Sequence, residues 1–86
     1  MSASYEITDV MWSNDAAPGH VAKYGHSQWR AWVDTADGLT SIVNVVRRAD
    51  SRMWVAERKG DTGTAGVGLT RLAAVHDLMA ELEAQA

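Results

Sequence analysis

Eighty-six residues, 47% apolar, 22% charged and with a net charge of −3, suffice for one hydrophobic core but not two, burying roughly 60–65% of the surface that the unfolded chain exposes. The lack of cysteine excludes disulfides, thiolate chemistry and every Cys-containing zinc site, and the absence of Pro, Ser or Gln tracts argues against disorder. The first five residues have neither the basic stretch nor the apolar stretch of a signal segment, and no apolar run nears the ~18 residues that cross a bilayer, so a soluble, cytoplasmic protein is expected.

The charge is unevenly spread. Residues 1–46 sum to −3, residues 47–59 to +3 and residues 60–86 to −3, so a basic island (Arg47, Arg48, Arg52, Arg58, Lys59) sits between two acidic segments. Arg exceeds Lys, and Ala and Val are frequent, a bias typical of a high-GC genome such as that of an actinobacterium or its phage. No internal repeat divides the chain, which reads as a single domain over 1–86.

The first element in chain order is a strand from Tyr5 to Trp12. Tyr5 and Ile7 have one parity and Val10 and Trp12 the other, which calls for a bulge near Thr8-Asp9. Residues 13–19 are loop chemistry with a Pro18-Gly19 turn dipeptide. A second strand begins after His20 and is established by Ser27.

Two turn signals, Ala36-Asp37-Gly38 and Ala49-Asp50-Ser51, then separate three runs rich in Val, Ile and Trp, the pattern of a β-meander. A three-residue loop with Gly38 in the left-handed region sets Thr35 opposite Leu39. Counting outward, Trp32 faces Ile42, Ala31 faces Val43, Arg30 faces Asn44 and Trp29 faces Val45. One face collects Trp29, Ala31, Val33, Val43, Val45, Met53 and Val55, which is the expected core. The other then collects Gln28, Arg30, Trp32, Ile42, Asn44, Val46, Arg48, Arg52, Trp54, Ala56 and Arg58.

Residues 60–68, with four glycines, read as a flexible connector from a β half (about 5–59) to an α half. A helix is expected over about 69–85, with Thr70 as N-cap. Leu72, Val75, Met79 and Leu82 form its apolar stripe, flanked by Leu78, with Thr70, Asp77, Glu81 and Gln85 opposite. The expected fold is therefore α+β: a three- to four-stranded antiparallel meander with one C-terminal amphipathic helix on one face.

No motif points to a cofactor, metal or reaction. Gly63 to Thr70 has the glycine spacing of a phosphate-binding loop, but Leu69 stands where the lysine belongs and no parallel βαβ frame surrounds it. His20, His26 and His76 have no partner at zinc-ligand spacing. Asp34 with Asp37, and Glu81 with Glu83, read as turn and solvated-helix residues, and nothing assembles a nucleophile, base and orienting group. An enzyme is not expected.

The informative feature is the sheet's second face. Water alone would cover a polar face, whereas this one is expected to carry Trp32, Trp54, Ile42 and Val46 beside Asn44, with Arg30, Arg48, Arg52 and Arg58 around them. Trp and Arg are enriched at protein-interface hot spots. The expected partner is another protein or a second copy of the chain. The alternatives are single-stranded nucleic acid stacked on the indoles, or internal cover by the N-terminal segment with Tyr5, Ile7, Val10 or Trp12.

Overall fold

Gly38 takes φ +86°, a conformation that side-chain-bearing residues rarely adopt, and the hairpin it closes sets the register of the sheet. The Asp37 carboxylate locks the turn, accepting from the Thr35 hydroxyl at 2.6 Å and the Leu39 amide at 3.2 Å. In the computed structural model, which describes residues 5–13, 28–48 and 50–85, the flanking strands β2 (Gln28–Thr35) and β3 (Thr40–Arg47) pair antiparallel, with Trp32 opposite Ile42, Arg30 opposite Asn44 and Trp29 opposite Val45. This is the register expected from the turn.

Strand β1 (Ile7–Ser13) pairs with β2, and its register shifts between Ile7 and Asp9. That bulge restores parity, so Tyr5, Ile7, Val10 and Trp12 all pack against the core. Strands β4 (Trp54–Arg58) and β5 (Asp61–Gly68) complete a five-stranded antiparallel sheet in the order β1-β2-β3-β4-β5, and helix α1 (Arg71–Gln85) packs on one face of it. The strand count exceeds the expected three to four because residues 61–68 form a strand instead of a connector.

The glycines of β5 explain both its connector-like composition and the packing. Gly66 and Gly68 share the helix-facing side, and a Cβ on Gly66 would overlap the backbone of Leu78 and the carbonyl oxygen of Ala74. A Cβ on Gly68 would lie 2.6 Å from the Ala74 nitrogen. The helix backbone therefore rests directly on β5, over a strip of small residues that includes Ala56 opposite Gly66. Gly-rich composition weakens a strand in isolation, but here it permits the closest layer contact in the fold.

Thr70 caps the helix as expected, its hydroxyl accepting from the Ala73 amide at 3.0 Å. The buried stripe is Ala74, Val75, Leu78, Met79 and Leu82, rotated from the expected one, so that Leu72 and His76 are exposed. The rotation follows from α1 overhanging the free edge of β5: the Val67 amide donates to Asp77 at 2.9 Å and the Thr64 hydroxyl to Gln85 at 3.1 Å. Asp77 and Gln85, expected to face solvent, instead bond β5, Asp77 at a backbone amide and Gln85 at the Thr64 side chain. The core comprises these helix residues with Ala31, Val33, Val43, Val45 and Ala56, most of them fully buried.

Candidate interaction face

The β3–β4 connection decides what the second face contains. The Arg48 amide donates to the Met53 carbonyl at 3.1 Å, so four residues, 49–52, separate the closing pair, not three. One additional turn residue exchanges the faces of the whole following strand. Arg47 stands opposite Trp54, Val45 opposite Ala56 and Val46 opposite Val55.

Trp54 and Ala56 therefore point toward the helix, and Trp54 packs against the core. Met53 and Val55 take the outer side, the reverse of the expected parity. Arg58, opposite Val43, is also on the helix side, where its guanidinium bonds the Asp61 carboxylate at 2.8 Å. That contact, followed by the Gly63 amide, holds the Asp61 pKa below its ordinary value. Arg52 is exposed in the turn, off the strands. The expected grouping of Trp32 with Trp54, Arg52 and Arg58 on one face is thus corrected: the two indoles lie on opposite sides of the sheet.

Arg30, Trp32, Ile42, Asn44 and Val46 do share the outer face, and Arg48 continues it at the end of β3, bonded to Asp50 at 3.3 Å. Met11, Val55 and Val67 join them: Val55 was expected on the core face and Val67 in a connector. Met11 stands opposite Trp32, and Val46, Val55 and Val67 are successive cross-strand neighbours. The face is organised in rows across the strands. Met11, Trp32 and Ile42 form one apolar row and Val46, Val55 and Val67 another, with Arg30, Asn44 and Glu57 between them.

Beyond the first apolar row, Asp9 stands opposite Asp34, which accepts from the Thr40 hydroxyl at 2.6 Å. A groove of about 310 Å³ opens there, lined by Asp9, Met11, Trp32, Asp34 and Thr40. A second, of about 260 Å³, lies between Arg48, Asp50, Ser51, Met53, Val55 and Val67. Met11 is 64% and Val67 48% exposed, and no described element crosses this face. The signal in the sequence was the glycine alternation: Gly66 and Gly68 mark the helix side of β5, which forces Val67, and Val55 opposite it, outward.

On the helix side, the ground beyond α1 is covered by aromatics and one cation. Arg71, the first residue of α1, lays its guanidinium over Trp29 at 3.8 Å and Trp12 at 4.8 Å from the ring centroids. Its Nη1 atom is buried without a hydrogen-bond partner among the described residues. Three of the four tryptophans therefore belong to this face.

Among the described residues no three His, Asp or Glu side chains are placed to hold a metal ion, and no helix is long and apolar enough to cross a membrane. His20 and His26 lie outside the described residues. Comparison with protein-family models, curated proteins and solved structures returned no match.

Proposed function

We propose that the chain is a non-enzymatic protein-interaction module and that the outer face of its sheet is the docking surface. The observation that carries this reading is the pair of apolar rows that no described element covers. Met11, Trp32 and Ile42, with Val46, Val55 and Val67, line the side of the sheet opposite the helix, where alternation would place polar residues in a sheet facing water.

The dimensions suit the role. Five strands spaced ~4.8 Å apart and about 25 Å long project to roughly 600 Å² before pleating, close to the ~800 Å² per partner of a standard interface. Trp32, central to the first row and flanked by a groove, is the expected anchor, with Arg30, Asn44 and Glu57 as polar contacts. The single-stranded nucleic-acid reading loses its basis, because the same face sets Asp9, Asp34 and Glu57 against Arg30 and Arg48, and only one indole remains there to stack a base.

The test is the accessibility of Trp32 in the dilute chain, read by fluorine NMR of protein made with fluorotryptophan, its resonance assigned by loss in Trp32→Phe. A Trp32 signal with a solvent isotope shift clearly larger than that of Trp54 at low concentration, lost as a partner is added or concentration rises, supports docking. A Trp32 signal as shielded as that of Trp54 in the monomer refutes it.

A further inference from the structure

We infer that the occupant of this face is a second copy of the chain, related by a twofold axis that runs across the strands along the Met11–Trp32–Ile42 row. The inference rests on the docking reading above and names its partner. Along β2 the outward residues Arg30, Trp32 and Asp34 set a cation and an anion two residues to either side of an indole.

A twofold through Trp32, perpendicular to β2 and in the plane between the copies, lays β2 antiparallel on β2 of the second copy. Arg30 then sits over Asp34 of the second copy and Asp34 over Arg30 of the second copy. The same axis passes through Ile42, with Thr40 and Asn44 two residues to either side, and sets those two polar side chains against each other. The Met11–Trp32–Ile42 row stacks on itself, and the Val46–Val55–Val67 row flanks that contact, beside the β2–β3 turn of the second copy. An isologous contact demands such self-complementarity.

Two features of the single chain fit this arrangement. Asp9 and Asp34 stand directly opposite each other on adjacent strands, a like-charge pair that is repulsive by itself. Arg30 is exposed and makes no ion pair among the described residues. The twofold brings each unpaired guanidinium to the carboxylates flanking the Trp32 groove. Two other axes lose the charge match or the self-stacking of the Trp32 row. An axis along the Arg30–Asn44–Glu57 row sets like charges on like. One parallel to β3 pairs Arg30 with Glu57 but places Trp32 over Lys59, the β4 neighbour of Ile42, leaving the apolar row unmatched.

Sedimentation velocity over a concentration series, on wild type, Arg30→Asp, Asp34→Arg and the double variant, tests the proposal. Wild type is expected to dimerise. Either single variant should weaken dimerisation at least roughly tenfold, because each puts two like-charge pairs across the axis. The double variant, and an equimolar mixture of the two singles, should return to within a few-fold of wild type. A double variant as weak as the singles overturns the proposed axis. A wild type that stays monomeric while Trp32 is solvent-accessible overturns the second copy and leaves the docking surface to another protein, whereas Trp32 shielded in the monomer defeats the docking reading itself.

Discussion

Replacing Gly66 with alanine should displace the helix. An ideal Cβ at this position lies 2.6 Å from the Leu78 Cα and nearer still to the Leu78 nitrogen and the Ala74 carbonyl oxygen, whereas carbon atoms pack at about 3.5–4.0 Å. The obstructing atoms are helix backbone and cannot rotate away, so α1 must retreat by roughly 1 Å. A gap of that size forfeits a quarter to a half of each dispersion contact, and overpacking of this kind costs about 1–3 kcal/mol. We expect the upper end, about 3 kcal/mol, which at ~4–8 °C per kcal/mol for a domain of this size lowers Tm by roughly 12–24 °C. Gly63→Ala is the control, since its Cβ would meet only the Asp61 carboxylate, at 3.7 Å, and it should stay within about 0.5 kcal/mol of wild type. Thermal and urea unfolding followed by circular dichroism reads both. A Gly66→Ala protein that melts within about 2 °C of wild type would refute the direct seating of α1 on β5.

Further outcomes follow from the same packing. Trp54→Ala, which empties a core-packed site, should lower stability by about 3 kcal/mol, whereas Trp32→Ala should change monomer stability by less than ~1 kcal/mol; urea midpoints separate the two. Thr70→Ala should cost about 1 kcal/mol through loss of the helix cap, and Thr70→Ser should recover most of it. The Asp37 pKa is lowered chiefly by the Thr35 hydroxyl and then by the Leu39 amide, and that of Asp61 chiefly by Arg58. Both groups thus contribute stability that is present above the ordinary carboxylate value of 3.8 and lost as pH falls through the depressed folded values. Asp37→Asn and Asp61→Asn should each flatten the acid-side fall of the urea midpoint below about pH 4 and leave its shape near neutrality unchanged.

The parts of the fold legible in the sequence are those where one residue dictates geometry. Gly38 fixed the loop length and with it every β2–β3 pair, the parity break at Thr8-Asp9 announced the bulge, and Thr70 announced the helix start. Less legible were features set by contacts between elements. The number of residues closing the β3–β4 turn depends on which of Arg52 or Met53 meets Arg48, and the turn composition suits both. Only the small residues under the helix, Ala56, Gly66 and Gly68, decide between them, and their meaning appears once residues 61–68 are taken as a strand. Of the residues expected on the candidate face, Arg30, Trp32, Ile42, Asn44, Val46 and Arg48 lie on the outer side of the sheet, Arg52 lies in the turn, and Trp54 and Arg58 lie on the helix side with the parity of β4.

The face assignment of β4 is the claim on which both the core and the docking surface depend, and a chain without cysteine allows it to be read residue by residue. Val55→Cys and Ala56→Cys place single thiols on adjacent residues of one strand. Labelling by a small thiol reagent at roughly micromolar concentration, too dilute for most weak dimers, should modify the half-buried Val55→Cys from the folded state, without waiting for global opening. Ala56→Cys should be modified only as fast as the domain opens globally. Rapid labelling of Ala56→Cys with protection of Val55→Cys would reverse the sheet's two faces and contradict the account.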